Sequence, residues 1–272
     1  MRGGEAGPQG GESGERVHLL FPPGARPRAR ALAVKLAPIL GGTILDLSQK
    51  LRYSGGWLAR SAPPEEAWRI RGIVEEMGFS CLVAADDGPI TPPKVIRVRV
   101  ARFDGRTLLL EGLPGAVELP LDGVACFDFV VVGDPEFREG KFRDSLRRLG
   151  EMMLSDLPFA RQREAIATCY LRQPMPTLFL VPREPEELYK IERGTRFPDL
   201  TARLGGGALD NLLLFLDELM TALPSGRILP ETVTFWESGK IESILIHRRE
   251  ELQRRLEWLR ELVARDLWHR FL

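Results

Sequence analysis

The stretch Ser61-Ala62-Pro63-Pro64-Glu65-Glu66-Ala67, followed by Gly78 and Cys81-Leu82-Val83-Ala84, carries signals for a helix start, a helix stop and a strand in order. Ser61 can accept hydrogen bonds from the first backbone N–H groups of a helix, and prolines are tolerated in its first turn. Apolar residues then recur at spacings of three and four, which is typical of one buried helix face. These residues are Ala67, Ile70, Ile73, Val74 and Met77. The stretch therefore predicts a helix capped by Ser61 and ended by Gly78, and then a buried strand.

The residues upstream of this helix predict a small unit in the order strand, helix, short helix, strand, helix, strand. Residues 17–21, which are apolar except for His18, read as a strand. A helix follows from about Pro27, and Gly41-Gly42 ends it. A shorter helix is predicted over residues 44–51 and a short strand over residues 57–59.

This element order resembles two related small domains, the C-terminal domain of the bacterial ribosomal stalk protein and the adaptor of the Clp protease. The resemblance depends on Gly41-Gly42, on the Ser61 to Ala67 stretch and on Met77-Gly78-Phe79 before the last strand, and it covers about residues 17–86. Both relatives are protein-binding modules without catalysis, so the resemblance implies a docking surface. Residues 42–50 depart from the lysine-bearing, glycine-rich signature of the stalk domain. The resemblance therefore implies a fold and no particular binding residues.

Composition limits the classes of function that the chain can have. The 272 residues include 38 Lys and Arg and 38 Asp and Glu, so no net charge attracts the protein to nucleic acid or to an anionic membrane. The three cysteines are widely spaced and are expected to be buried thiols in a reducing compartment. Residues 1–16 lack the apolar core of a signal peptide, and no run of about 18 apolar residues occurs. We expect a soluble, cytoplasmic protein without a membrane span.

The chain is predicted to be α+β, with a small N-terminal α/β sandwich, a β-rich domain with inserted helices, and a long C-terminal helix. The predicted segments are a disordered tail (1–15), the stalk- and adaptor-like domain (16–87), a linker (88–94), the β-rich domain (95–224) with a helical insertion (134–175), and a C-terminal helical segment (225–272).

In the β-rich domain, Ile96, Val98 and Val100 alternate with arginines, which is typical of a strand with one buried face. Asp104-Gly105 is a strong hairpin signal. Several strands followed by one amphipathic helix, over residues 209–223, also resemble a pleckstrin-homology-like barrel with an insertion. A generic α+β domain is the alternative.

Two surfaces are candidates for binding. The first is the basic strand face of Arg97, Arg99 and Arg102, with Phe103 beside it, because basic strands with aromatic residues bind single-stranded nucleic acid or phosphate groups. The alternative is an ordinary solvated strand face.

The second candidate surface lies on a helix predicted over residues 240–272. Leu252, Leu256, Leu259 and Val263 form an apolar stripe on it near heptad spacing. This stripe either packs against its own domain or docks a partner protein or a second copy of the chain.

No catalytic, cofactor or metal signature is present in the sequence. Ser238-Gly239-Lys240 lacks the first glycine and the hydroxyl of a phosphate-binding loop, and the three histidines (His18, His247 and His269) are scattered. A catalytic triad assembled only in the folded chain stays open. We therefore predict no cofactor and a non-catalytic protein-binding or regulatory module with an unidentified protein partner, and the alternative is nucleic-acid or phosphate-headgroup binding.

Overall fold

The computed structural model describes residues 15–25, 27–113, 115–135, 159–200 and 207–267, and these residues form an α+β protein with two sheets. The predictions for residues 1–14, for positions 136–158 of the helical insertion, and for the chain after residue 267 lie outside the described residues. The two sheets organise two lobes, which we call the first and second lobe.

The first lobe is a three-stranded antiparallel sheet in the order β2-β1-β3, covered on one face by three helices. Its elements are β1 (Val17–Leu20), α1 (Ala29–Leu40), α2 (Ile44–Arg52), β2 (Trp57–Ala62), α3 (Pro64–Glu76) and β3 (Leu82–Ala85). The predicted element order is confirmed. The core contains the apolar face of α3 and side chains from α1, namely Leu32, Leu36, Ala67, Ile70 and Val74.

The start of α3 differs from the prediction. Ser61 does not cap the helix, because it lies within β2, and the residue at the N-cap position is Pro63, which provides no side-chain hydrogen bond. The predicted end of the helix is confirmed, since Gly78 has a φ of +82°, the left-handed conformation that glycine adopts without strain.

The second lobe is built on a seven-stranded mixed sheet in the order β10-β7-β8-β9-β4-β5-β6. Its strands are β4 (Lys94–Phe103), β5 (Thr107–Gly112), β6 (Ala116–Pro120), β7 (Val124–Pro135), β8 (Leu171–Pro182), β9 (Glu187–Glu192) and β10 (Leu245–Ile246). The Asp104-Gly105 hairpin between β4 and β5 is confirmed. The helical insertion predicted over 134–175 is shorter in the structure, because β8 already begins at Leu171. Pro174 and Pro176 are tolerated in β8 because β9 pairs with it only over 177–180, which leaves that side of β8 unpaired at the prolines.

The strands of this sheet do not pair only with their neighbours in sequence. β4 pairs with β9 in parallel, and β7 pairs with β10 in parallel, while the other neighbours are antiparallel. Among the described strands, β6 and β10 form the two edges of the sheet. The resemblance to a pleckstrin-homology-like barrel therefore stays a prediction, with these parallel pairs as a departure from a simple meander.

Helices cover one face of this sheet and complete its core. They are α4 (Ala160–Thr168), α5 (Ala208–Ala222) and α6 (Pro230–Ser238). The helix predicted over 209–223 is confirmed as α5. The core on this face includes the aromatic side chains Phe127, Phe129, Phe159, Phe197, Phe215 and Phe235.

The C-terminal segment differs from the single long helix that was predicted. Gly239 is left-handed and ends α6, a one-turn 3-10 helix covers Ile241–Ser243, and β10 follows. The final helix, α7, spans only Arg249–Ala264. No described helix is alone long and apolar enough to cross a membrane, although α1 and α2 together, bent by 118°, reach that length and composition.

Candidate functional site

Helix α7 lies between the two lobes and buries side chains from both. One apolar cluster joins the first lobe, the second sheet and α7, and it includes Leu20, Trp57, Val130, Phe179, Trp258 and Leu262. Leu256, Leu259 and Val263 are buried in this cluster and Leu252 is partly buried. The leucine stripe of α7 therefore packs within its own chain, which was one of the two predictions for it. It is not exposed to a partner protein or to a second copy of the chain.

Two tryptophans fasten α7 to the first lobe by reciprocal hydrogen bonds. The indole N–H of Trp57 in β2 donates to the backbone carbonyl of Arg254 in α7, at 3.0 Å. The indole N–H of Trp258 in α7 donates to the backbone carbonyl of Phe21 after β1, also at 3.0 Å. Each bond satisfies a buried donor that would otherwise cost free energy, so the lobes are held in one arrangement.

A buried ion pair fastens α7 to the second sheet. Arg255 donates to both carboxylate oxygens of Asp128 in β7, with Nε–Oδ2 at 2.5 Å and Nη2–Oδ1 at 2.9 Å. Glu231 in α6 adds a second carboxylate 3.8 Å from the guanidinium. Burial alone would lower the pKa of Arg255, but the charges of Asp128 and Glu231 outweigh it and raise that pKa above its ordinary value.

A cleft of about 440 Å³ opens beside α7, between the two lobes. Three exposed arginines lie at its rim, Arg28 and Arg30 from the start of α1 and Arg52 from the end of α2. Two buried carboxylates, Glu231 and Glu251, also line the cleft, as does the buried guanidinium of Arg255. The remaining wall is mainly apolar and includes Phe21, Pro22, Leu32, Leu51 and Ile246.

His247 and two tyrosines lie next to the wall that carries Glu251. The backbone N–H of His247 donates to Glu251 Oε2 at 2.9 Å. The ring of His247 stacks on Tyr170, with centroids 5.6 Å apart, and meets Tyr53 edge-on. Burial, and then the nearby charges of Arg52 and Arg248, lower the pKa of His247, so its ring is neutral at pH 7.

The α1–α2 hairpin of the first lobe presents exposed apolar side chains. Val34 is 50% exposed, Ile44 is 43% exposed and Leu45 is 68% exposed. Single exposed apolar residues are ordinary on a protein surface, but here three occur on two consecutive helices. We call Val34, Ile44 and Leu45 the hairpin patch.

The basic strand face predicted on β4 is present. A β-bulge between Val98 and Val100 shifts the alternation by one residue, so that Ile96, Val98 and Ala101 belong to the same buried core. Arg97, Arg99 and Arg102 are all exposed. Arg97 pairs with Glu192 at 2.6 Å, whereas within the described part of the chain no ion pair involves Arg99 or Arg102.

Phe103 does not accompany these arginines. It packs against the buried core on the other side of the sheet, so the aromatic platform expected beside the arginines is absent there. The β4 face therefore offers positive charge, but Phe103 does not provide an aromatic ring there on which a base could stack.

His18, Ser61 and Asp86 lie together where β1, β2 and β3 meet. The backbone N–H of Ser61 donates to His18 Nδ1 at 3.0 Å, and His18 Nε2 lies 3.3 Å from Asp86 Oδ1, as an electrostatic contact. The Ser61 hydroxyl bonds Asp86 and thereby lowers the pKa of that carboxyl. Because the serine reaches the imidazole through its backbone and not through its hydroxyl, this cluster lacks the contact that activates a nucleophile.

The described residues do not support metal binding or thiol chemistry. Those residues contain no group of three His, Cys, Asp or Glu side chains placed to hold a metal ion. Cys81, Cys126 and Cys169 are free and buried, and burial raises the pKa of Cys81 to about 12, which keeps its thiol protonated and unreactive.

The cleft and the buried ion pair were not predicted from the sequence. One signal was available, since Asp128 interrupts the apolar run from Phe127 to Val132, and a charge in a buried strand needs a partner. Nothing in the sequence identified Arg255, 127 positions away, as that partner.

Comparison with known proteins adds no family to this description, because no family model, no curated protein and no solved structure matches the chain.

Proposed function

We propose that the protein is a non-catalytic protein-binding module that docks its partner on the hairpin patch of the first lobe. The observation that carries the proposal is the exposure of Val34, Ile44 and Leu45 on α1 and α2. Exposed apolar side chains cost free energy in water, and burying them against a partner recovers it. The resemblance to stalk and adaptor domains supports the same class of function.

The charge around the hairpin patch favours an acidic partner segment. Residues 29–52 carry four cations (Arg30, Lys35, Lys50 and Arg52) and one carboxylate (Asp46), a formal charge of +3. None of the four cations has an ion pair with another described residue. An acidic protein segment with apolar side chains on one face would neutralise these charges and cover the patch, and its association would be fastest at low salt.

Photo-crosslinking at the patch tests this proposal. A benzophenone amino acid at position 45 should crosslink one acidic partner protein in native extract, and raised salt should weaken the crosslink. The double substitution Val34→Ser with Ile44→Ser should abolish it, while Leu113→Ser with Met175→Ser, which alters equally exposed apolar residues elsewhere, should not.

Two results would contradict the proposal. The first is crosslinking that is the same in both double variants. The second is binding of the wild-type protein to anionic lipid vesicles that the Val34→Ser, Ile44→Ser variant loses, which would assign the patch to a membrane surface.

Binding of nucleic acid or phosphate groups on the β4 face is the second candidate function. It is favoured by the exposure of Arg97, Arg99 and Arg102 on a strand whose Ile96, Val98 and Ala101 are buried. Arg97→Ala with Arg99→Ala should weaken oligonucleotide binding in a fluorescence titration and reduce its dependence on salt. Arg69→Ala with Arg172→Ala, which alters two other exposed arginines, is the matched control. Equal loss in both variants, or no binding by the wild type, would remove this function.

A further inference from the structure

We propose that the cleft beside α7 binds a small phosphate ester, with the phosphate at the arginine rim and a compact apolar body against the inner wall. The site is separate from the β4 face, and it shares Arg30 and Arg52 with the basic surroundings of the hairpin patch. Its evidence comes from three features of the cleft: the cations at the rim, the uncapped start of α1, and the chemical difference between rim and depth.

The rim is rich in cations that have no carboxylate to neutralise them. Arg28, Arg30 and Arg52 all line the cleft and are exposed. Within the described residues, none of the three forms an ion pair. A guanidinium group binds phosphate oxygens through a pair of parallel hydrogen bonds. Three guanidinium groups around one opening carry more positive charge than a single carboxylate would neutralise.

The start of α1 adds positive potential at the same rim. The N-cap residue, Arg28, makes no side-chain cap, and no acidic residue lies in the first turn of this 12-residue helix. The first backbone N–H groups of a helix have no acceptor within it, and the macrodipole makes that end positive. Ala29, the first residue of α1, itself lines the cleft.

The depth of the cleft has the opposite character and fixes how a ligand would lie. Glu231 and Glu251 are buried in the cleft wall together with Arg255. Because Asp128 neutralises Arg255, the two glutamates leave the interior negative, which repels an anion. Both carboxylates already have a role in the fold, since Glu251 accepts the His247 N–H and Glu231 faces Arg255. Phe21, Leu32 and Leu51 supply apolar wall between them and the rim.

A phosphate ester satisfies both regions in a way that inorganic phosphate cannot. The phosphate meets the arginines, and the apolar body displaces water from the wall of a cleft of about 440 Å³. Because the two walls belong to different lobes, such a ligand would also hold the lobes together and raise the thermal stability of the protein.

Calorimetric titration with 1-naphthyl phosphate at low salt tests the proposal. We expect 1-naphthyl phosphate to bind at least tenfold more tightly than either inorganic phosphate or 1-naphthol, and added salt to weaken its binding. The triple substitution Arg28→Gln, Arg30→Gln, Arg52→Gln should reduce the affinity at least tenfold. The triple substitution Arg69→Gln, Arg106→Gln, Arg172→Gln removes three exposed arginines that do not line the cleft and should leave the affinity unchanged.

A second variant distinguishes a loss of binding from a loss of folding. Ala29→Glu places a carboxylate where it favours the α1 dipole, so the helix is kept, yet this charge opposes a bound phosphate and should also weaken binding at least tenfold. Absence of binding by the wild-type protein at millimolar 1-naphthyl phosphate, or equal loss of affinity in the two triple variants, would overturn the proposal.

Discussion

Gly56 lies so close to the indole of Trp258 that a Cβ added to it would sit 2.6 Å from the ring atoms Cδ2 and Cε2. Real Cβ atoms do not approach other atoms so closely, so the turn before β2 can contact α7 only with glycine at this position. Its φ of +108° is a second reason for glycine. The contact between the first lobe and α7 therefore depends on the absence of one side chain.

Gly56→Ala should lower the free energy of unfolding by about 2–4 kcal/mol, as overpacking adds to backbone strain. Gly42→Ala is the matched control, because Gly42 also has a positive φ, of +83°, but a Cβ there would meet no atom within 4 Å. The control should cost only about 1 kcal/mol of strain. Urea denaturation measures the free energy of unfolding of both variants. An equal loss of stability in the two would show that the indole of Trp258 moves to accommodate the added methyl group.

The local elements of this fold could be predicted because each has a periodic sequence of its own. The apolar spacing from Ala67 to Met77 and the alternation from Ile96 to Val100 both describe one buried face, and both elements formed as expected. Ser61 was misassigned because a serine before two prolines looks like a cap, whereas pairing with β1 draws it into β2.

The position of α7 could not be predicted, because its contacts depend on distant parts of the chain. Its leucine spacing indicates an apolar face without saying what covers that face. The partners of Trp258 and Arg255 lie 237 and 127 positions away, and the cleft exists only where those contacts bring the lobes together. The sequence does not predict α6 and β10, because both elements are short. With nine residues in α6 and two in β10, neither has enough periodicity to be distinguished from the helix that follows.

The buried pair of Asp128 and Arg255 should show strong coupling in a double-mutant cycle. Asp128→Leu leaves a buried guanidinium without its main partner, and Arg255→Met leaves a buried carboxylate, so each single substitution should cost about 3–5 kcal/mol. The double variant removes both charges and should be more stable than the sum of the single losses predicts. Chemical denaturation of all four proteins gives the coupling, and additive losses would mean that the two groups do not stabilise each other.

Substitution within the α7 stripe should unfold the protein instead of separating a complex. Leu259 is fully buried, so Leu259→Ala should lower the free energy of unfolding by about 2–5 kcal/mol through lost burial and a cavity. Leu45→Ala, at a side chain that is 68% exposed, is the control and should change it by less than about 0.5 kcal/mol. A Leu259→Ala protein of wild-type stability and reduced mass in light scattering would instead support the partner-binding prediction for this stripe.

Acid should destabilise the protein through His18 before its carboxylates titrate. Burial lowers the pKa of His18 more than Asp86 and Glu261 raise it, and Arg265 and Arg60 lower it further. Protonation of Nδ1 would also break the hydrogen bond from the Ser61 N–H. Because the folded protein binds the proton less readily than the unfolded chain, the stability from neutral His18 is complete above about pH 6.5 and declines as the pH falls through the lowered pKa.

Urea denaturation between pH 7.5 and pH 5 measures this decline. His18→Gln removes the titrating group, keeps a side chain that can accept the Ser61 N–H, and should flatten part of the pH dependence. His247, whose pKa is also lowered by burial, accounts for the remainder, so His18→Gln with His247→Gln should flatten it further. A decline that is unchanged in the double variant would assign the acid sensitivity to carboxylates such as Asp86, whose lowered pKa makes it lose its contribution only below about pH 4.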